Sequence, residues 1–328
     1  MKRHLHWLMA ATAAVGVQLA QAESTLRIQD YPGTGNLLVR VAQAKGFCKE
    51  VGLNCELKVI AAAPLGLQTM LAGDIDVAFG PTEVAAAALA RKAPVKVVGA
   101  GFVEPVFFLV AGNKTVLDNE AKGYPEVIKS LKGMKIGVTQ RGSGAEFQGI
   151  DMLHDAGLSA DDVTFVAVGA PNTAFPALTK GQVDVAMTFS PTDGMCSVLK
   201  ACRVIVDPRK GEGPQSILNT RGGAGVLLVK AGWAAEHGAE VASFRQALAK
   251  AEAYIQDPAN FDAVLAVLNA TFGLKLPQAD QIAEATLRGG MKTFRAQGSV
   301  AAMQAVADGM TATKLLPVKV NMASAVLP

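Results

Sequence analysis

The sequence has few of the residues that most often carry catalysis. It holds four histidines in 328 residues, and two of them fall within the first 22 positions. The other two, His154 and His237, lie on stretches predicted to be ordinary helices. There is no His-x-x-x-His pair, no Gly-x-Ser-x-Gly nucleophile motif and no Walker loop. We therefore predict no catalytic residue, no metal site and no cofactor.

Long apolar runs and dense basic stretches are missing beyond the start of the chain. Residues 1–22 combine a basic start, an apolar run and Ala-Gln-Ala at positions 20–22, which is typical of a cleaved secretory signal. A membrane anchor is the weaker interpretation, because the apolar portion is short and no later stretch could span a bilayer. We expect cleavage near Ala22 and a periplasmic protein.

Cleavage would remove Lys2 and Arg3 and lower the formal charge from +3 to 3 − 2 = +1. No stripe of Lys and Arg remains that would indicate a nucleic-acid or membrane-surface partner.

Cysteine is scarce as well, and its four residues form two close pairs, Cys48 with Cys55 and Cys196 with Cys202. In an exported chain two local disulfides are the simplest interpretation, each joining the end of a helix to the region of the next strand. Zinc binding is the alternative, but no histidine lies nearby.

The composition and a repeated segment predict two similar lobes. Half of the residues are hydrophobic and 18% are charged, as in ordinary α/β proteins, and the length exceeds what one core usually fills. Residues 67–83, LQTMLAGDIDVAFGPTE, resemble residues 175–193, FPALTKGQVDVAMTFSPTD. In each copy a helix stops at a glycine, Gly73 or Gly181, and a buried strand follows.

The repeat continues with a polar turn and a proline, Pro81 or Pro191, which we expect at the first position of the next helix. The unit predicts doubly wound α/β lobes with parallel sheets, which bind ligands at the carboxyl ends of their strands. Asp76 and Asp184 occupy equivalent strand starts, and we interpret them as structural turn-capping residues.

Taken in order, the chain divides into a first lobe at residues 23–103 and 226–328 and a second lobe at residues 104–225, joined by a hinge. The apolar strand VLLVK, which begins at Val226, returns the chain to the first lobe. Four C-terminal helices with apolar residues at three and four spacing are predicted to pack on the outer face of the first lobe.

Polar turns before predicted helices are the main candidates for binding. Helix starts present free N–H groups and the positive end of the dipole, so several that converge on a cleft would hold an anionic head group, with Arg141 adding a bidentate contact. Helix capping is the alternative for each turn. The candidates are Thr34, Gly35, Asn36, Pro64, Gly80, Pro81, Thr82, Glu83, Arg141, Gly142, Ser143, Gly144, Asn172, Ser190 and Thr192.

Three aromatic residues lie in or beside the predicted cleft loops: Tyr31, Phe102 and Phe189. They would form a wall against the apolar part of a ligand. Core packing is the alternative for each of them.

The order of these segments resembles the exported substrate-binding proteins of ABC importers, of the nitrate, taurine and alkanesulfonate type. The resemblance covers nearly the whole mature chain and is carried by four segments, which are GFCKEVGLN (46–54), MLAGDIDVAFG (70–80), LKGMKIGV (131–138) and VLLVKAGWAAEHGAEVASF (226–244). It implies a bilobed fold of periplasmic-binding-protein type II. It also implies a monomer that closes on a small molecule and delivers it to an ABC permease in the inner membrane.

The resemblance places ligand contacts in the loops 31–36, 80–83, 141–144 and 190–192. The first loop, YPGTGN, differs from the glutamine-containing loop common in sulfonate binders. A sulfonate, a carboxylate with or without an aromatic body, and a pyrimidine-like ligand therefore stay open. Two other functions also stay open: an exported dehydratase-like enzyme using Glu83, Glu104 or Asp193 as acid or base, and a receptor for a membrane sensor.

Overall fold

The computed structural model describes residues 23–272, 274–276 and 278–328. The predicted signal segment lies outside the described residues. Within them the strands are β1 (Ser24–Asp30), β2 (Leu53–Val59), β3 (Val77–Pro81), β4 (Val95–Ala100), β5 (Phe108–Gly112), β6 (Lys135–Val138), β7 (Thr164–Ala167), β8 (Val185–Thr188), β9 (Cys202–Val206) and β10 (Gly225–Lys230).

The helices of the same residues alternate with these strands. They are α1 (Leu37–Ala44), α2 (Phe47–Glu50), α3 (Ala63–Ala72), α4 (Thr82–Ala90), α5 (Glu126–Lys129), α6 (Gly144–Asp155), α7 (Pro171–Thr179), α8 (Thr192–Leu199), α9 (Gln215–Leu218), α10 (Ala231–Glu236), α11 (Gly238–Gln256), α12 (Phe261–Phe272), α13 (Ala279–Gly290) and α14 (Val300–Ala312).

Two five-stranded sheets organise the molecule, in the orders β2-β1-β3-β10-β4 and β7-β6-β8-β5-β9. We call the parts around them the first and the second lobe. The expectation of purely parallel sheets is wrong for one strand in each, because β10 and β5 run antiparallel to both of their neighbours. Each is the strand by which the chain enters its sheet from the other lobe. It starts at the edge where the parallel strands end, and so runs in the opposite direction.

The repeated unit folds alike in both lobes. The carboxylate of Asp76 accepts a hydrogen bond from the N–H of Arg27 at 2.8 Å, and that of Asp184 accepts one from the N–H of Lys135 at 2.8 Å. Both contacts tie the start of the repeat strand to the neighbouring strand, at the middle of β1 in the first lobe and at the start of β6 in the second. Gly73 and Gly181 have φ angles of 98° and 72°, as the helix ends require.

The prolines of the repeat stand one position earlier than predicted. Pro81 and Pro191 precede α4 and α8, which begin at threonines. Thr82 is held there because its hydroxyl donates to the carbonyl of Gly223 at 2.6 Å, and Thr192 because its hydroxyl bonds that of Thr188 at 3.0 Å.

One of the C-terminal helices also reaches the second lobe. Helix α11 packs on α1, whereas α13 packs both on α12 of the first lobe and on α8 of the second, so the prediction for α13 holds only in part. Gly194 allows this approach, since a Cβ there would lie 3.2 Å from side-chain atoms of Ile282 and Thr286.

Both cysteine pairs form disulfides. Cys48 on α2 bonds Cys55 on β2, and Cys196 on α8 bonds Cys202 on β9. This confirms the predicted pairing of a helix with the next strand. Among the described residues no helix is both long and apolar enough to cross a membrane, and no group of three or more His, Cys, Asp or Glu is placed to hold a metal ion.

Candidate functional site

An aromatic cavity lies between the facing edges of the two sheets. Its walls enclose about 450 Å³, counting the part open to solvent. Several lining residues directly follow a strand: Tyr31 follows β1, Thr139 follows β6 and Phe189 follows β8. The cavity is lined by Tyr31, Thr34, Gly35, Ala63, Phe79, Gly80, Pro81, Phe102, Val106, Phe107, Thr139, Ser143, Gly144 and Phe189.

Five aromatic rings form a continuous chain along this wall. Phe102 contacts Phe79 with ring centroids 5.6 Å apart, and Phe79 contacts Tyr31 at 6.3 Å. Tyr31 meets Phe189 at 5.6 Å, and Phe189 meets Phe107 at 5.9 Å. The chain therefore runs from the first lobe to the second and on to the crossing segment. Offset and edge contacts of this kind suit the enclosure of a flat or apolar group.

Tyr31 is the polar member of the chain. Its burial raises the pKa of the hydroxyl above its ordinary value, while an interaction with Thr139 of the second lobe opposes the rise. The hydroxyl therefore stays protonated at physiological pH and serves as a neutral hydrogen-bonding group at the lobe boundary.

Arg40, a buried arginine on α1, holds the loop that carries Tyr31 in place. The Arg40 guanidinium pairs with Asp30 at 2.8 Å and donates to the carbonyls of Gly33 and Tyr31, each at 2.6 Å. A buried charge with this many partners holds one loop conformation. Gly33 has a φ of 129°, and a Cβ there would lie 2.5 Å from the Phe189 ring, so a side chain is excluded on both counts.

The side chains that line the cavity are uncharged. The polar groups among them are the hydroxyls of Tyr31, Thr34, Thr139 and Ser143. A charged ligand group in this cavity would have to be bound by hydroxyls and by backbone N–H groups.

The helix starts around the cavity differ in how much negative charge they already hold. Helices α4, α6 and α8 carry Glu83, Glu146 and Asp193 in their first turns. Helices α1 and α3 carry no acidic residue there, and the segments that open them line the cavity. Because a carboxylate at the N-terminus offsets the helix dipole, α1 and α3 are the two starts best suited to an anionic group.

A second, more polar compartment adjoins the aromatic cavity, with Thr34 and Val106 lining both. It encloses about 1020 Å³, counting the part open to solvent, and α13 forms one wall. Its charged lining residues are Glu104, Asp193, Arg209 and Lys292.

Arg209 in this compartment is already bound on both sides. Its guanidinium pairs with Asp207 at 2.8 Å and with Asp193 at 2.7 Å, and it lies 4.4 Å from the centroid of the Phe108 ring. Burial acts to lower the pKa of Arg209, but the two carboxylates raise it overall. The group is therefore a permanent cation with few donors left for a ligand.

Some predicted residues lie outside the aromatic cavity. Asn36 is buried beneath it and donates to the carbonyl of Gln29 at 2.8 Å. Arg141 has a side chain 66% exposed and pairs with Glu146 at 2.5 Å, and the N–H of Gly142 donates to the same carboxylate. Pro64 and Asn172 are the second residues of α3 and α7, and neither lines the cavity.

Four further candidates belong to other contacts. Thr82 and Thr192 bind the ends of neighbouring segments, as described above, and Ser190 lines the polar compartment. Glu83 lines a separate pocket, beside Gln148 of the second lobe.

Sequence reasoning missed five lining residues of the aromatic cavity: Ala63, Phe79, Val106, Phe107 and Thr139. Phe79 lies inside the repeated segment, and Thr139 directly follows β6. Ligands in α/β sheets bind at the carboxyl ends of strands, so the place of Thr139 directly after β6 is a signal that identifies it, whereas Phe79 lies in the middle of β3 and has no such signal.

Two lobes built on separate sheets, with a cavity between their strand ends, define the bilobed architecture of periplasmic binding proteins. The sequence profile of the NMT1/THI5-like family matches residues 36–260, more than half of the chain. The chain belongs to this family.

Curated proteins from Brucella are similar to the chain in sequence. Relatives in Brucella abortus (strain 2308) and Brucella melitensis, which carry the provisional name of binding protein, are 29% identical over 168 residues. That match covers 51% of this chain and 47% of each relative, so it spans about half the length of both.

Solved structures resemble the chain over almost its whole length. The alkanesulfonate-binding protein SsuA from Xanthomonas axonopodis pv. citri, bound to MOPS, is 22% identical with a TM-score of 0.75, covering 93% of this chain and 98% of its own. The nitrate-binding protein NrtA from Synechocystis PCC 6803 is 14% identical with a TM-score of 0.70, covering 92% and 84%. The desulfurization enzyme DSZB is 18% identical with a TM-score of 0.64, covering 93% and 96%. At these identities the likeness shows the fold alone.

Proposed function

We propose that this chain is an extracytoplasmic solute-binding protein that captures a small organic anion, a sulfonate or a carboxylate, between its lobes. The observation that carries the proposal is the uncharged aromatic cavity at the lobe boundary. The chain of rings from Phe102 to Phe107 would enclose the apolar body of the ligand, which can be aromatic. The starts of α1 and α3 would bind its anionic group.

The mechanism is hinge closure. We divide the chain into lobes at residues 23–103 with 226–328 and at residues 104–225, so that the two crossings act as hinges. A ligand that touches both lobes binds the closed form better than the open form and shifts the equilibrium toward it. The closed form then docks on an ABC permease in the inner membrane, to which the protein delivers its ligand as a periplasmic monomer.

Names of similar proteins support this proposal. The Xanthomonas and Synechocystis proteins are named for binding an alkanesulfonate and nitrate, both anions. The test is thermal unfolding of the mature protein against sulfonates, aliphatic and aromatic carboxylates, nitrate and pyrimidines, since a ligand of the native state must raise the midpoint. Recovery of the stabilising compound unchanged supports a binding protein.

An exported enzyme is the second candidate function, and two observations support it. DSZB, an enzyme, shares the fold, and burial raises the pKa of Glu83 to about 7. Glu83 does not line the aromatic cavity, however, so a substrate held there would not touch it. Recovery of the stabilising compound as a product would favour the enzyme. A receptor read by a membrane sensor shares the same binding step and differs only in the partner.

A further inference from the structure

Glu83 and Gln148 form a buried contact between the two lobes, and neither residue lines the aromatic cavity. Glu83 lies in the first turn of α4 in the first lobe and is 4% exposed. Gln148 lies on α6 in the second lobe, and its Nε2 donates to Glu83 Oε1 at 2.7 Å. The contact therefore spans the boundary that hinge movement would open.

The second oxygen of each group has no hydrogen-bond partner. Glu83 Oε2 and Gln148 Oε1 are both buried acceptors without a donor in the part of the chain that the structure describes. A buried acceptor that stays unpaired destabilises the structure, because it has lost its hydrogen bonds to water without gaining others. A single proton on Glu83 would satisfy both, because a carboxylic acid donates through its O–H while an amide carbonyl accepts.

The surroundings favour the neutral acid. Of the charged groups, Asp151 on α6 faces Glu83, and its negative charge also disfavours ionisation. The Ser216 hydroxyl donates a hydrogen bond to Asp151. Burial raises the pKa of Asp151, the Ser216 hydrogen bond and the charge of His154 oppose this rise, and the charge of Asp155 adds to it. Two other segments line this pocket, one beginning in α9 and one beginning in α14. Their side chains there are uncharged: Ser216, Ile217, Thr220, Val306, Met310, Thr313 and Leu315.

We propose that Glu83 is protonated when the lobes are together, and that Glu83 Oε2–H donates to Gln148 Oε1 to complete a two-hydrogen-bond latch. Opening of the lobes exposes Glu83 to water, where it releases its proton to solvent. Closure therefore takes up one proton, and acid pH favours the closed form even without ligand. Burial and the nearby Asp151 raise the pKa of Glu83 from 4.5 to about 7, which agrees with this geometry.

The latch relies on the hinge movement of the proposed function but not on its ligand, so its test uses the unliganded mature protein. Carbon-13 NMR of protein labelled at the glutamate carboxyl carbons should show one carboxyl that titrates near neutral pH. Glu83→Gln should remove this signal, while Glu126→Gln, an exposed glutamate on α5, should leave it in place. A signal of Glu83 that titrates in the ordinary range, as a water-bridged carboxylate would, overturns the proposal.

Small-angle X-ray scattering measures the consequence for the lobes. Between about pH 5.5 and about pH 8.5 the radius of gyration of the wild-type protein and of Glu126→Gln should rise as the latch opens. Glu83→Gln keeps two hydrogen bonds to Gln148 at every pH, so its radius should stay at the low-pH value. A wild-type radius that does not change, or a Glu83→Gln radius that rises equally, contradicts the latch. Neither result bears on whether the cavity binds a ligand.

Discussion

The ring of Tyr31 lies 5.6 Å from the ring of Phe189, and this contact joins the loop after β1 of the first lobe to the loop after β8 of the second. It is the contact in the chain of aromatic rings that crosses the lobe boundary. Any movement that separates the sheets must separate these two rings. A ligand that contacts both rings would therefore bind only when the two lobes are close together.

Replacement of Phe189 by alanine should weaken binding of the most strongly stabilising compound. The loss of one buried aromatic wall corresponds to about 1–3 kcal/mol, or roughly a fivefold to 150-fold rise in Kd. Isothermal titration calorimetry measures the change. Phe175→Ala, on α7 away from the cavity, is the matched control and should leave Kd within about twofold. Equal effects of the two variants would show that the aromatic cavity is not the binding site.

Gly33→Ala should impair both stability and binding. The new methyl group meets the Phe189 ring and the backbone keeps a left-handed φ, so we expect a loss of about 1–3 kcal/mol in the free energy of unfolding. Gly52→Ala shares a positive φ of 76° but meets no atom within 4 Å, so it isolates the cost of the backbone. Urea unfolding compares the two. Should Gly52→Ala prove the more harmful, the close approach of Gly33 to Phe189 has no energetic role.

Arg40→Met should be strongly destabilising, because it leaves the buried carboxylate of Asp30 without its partner. We expect about 3–5 kcal/mol, as for other broken buried pairs. Arg27→Met breaks the more exposed pair with Asp76 and should cost about 1 kcal/mol or less. Chemical unfolding of both variants tests the difference, and similar small losses would mean that Arg40 does not fix the loop.

Stability should fall with pH in a window set by Glu83. Its pKa is raised from 4.5 to about 7 in the folded protein, so the folded state binds the proton more tightly than the unfolded chain. The contribution is complete below about pH 4.5 and is lost as pH rises through about 7, which amounts to about 3 kcal/mol. The difference in unfolding free energy between wild type and Glu83→Gln, followed across this window, measures it. A difference that does not depend on pH rules out this titration.

Much of the architecture follows from local sequence patterns. The glycines that end α3 and α7, the apolar strands and the duplicated aspartates predict the two similar units, and the close cysteine pairs predict their disulfides. The direction of β5 and β10 depends on where the chain crosses between lobes, which no local pattern contains. The packing of α13 on α8 likewise depends on a distant contact with Gly194.

The candidate site could be predicted in part for the same reason. Tyr31, Phe102 and Phe189 line the cavity because they lie at or near strand ends, where sequence reasoning placed them. The place of Arg141 before a helix predicts a contact with an anion, but in the structure Arg141 pairs with Glu146, which lies on the first turn of that helix. This local ion pair competes with the ligand contact, and a residue pattern does not show which of the two prevails.

The position of a bound ligand decides whether the aromatic cavity is the binding site. A crystal structure of the mature protein with the most strongly stabilising anion should place its apolar body against Tyr31 and Phe189. The anionic group should lie at the starts of α1 and α3. A ligand bound only in the polar compartment beside Arg209 and Lys292, with the aromatic cavity empty, would show that the aromatic cavity is not the binding site.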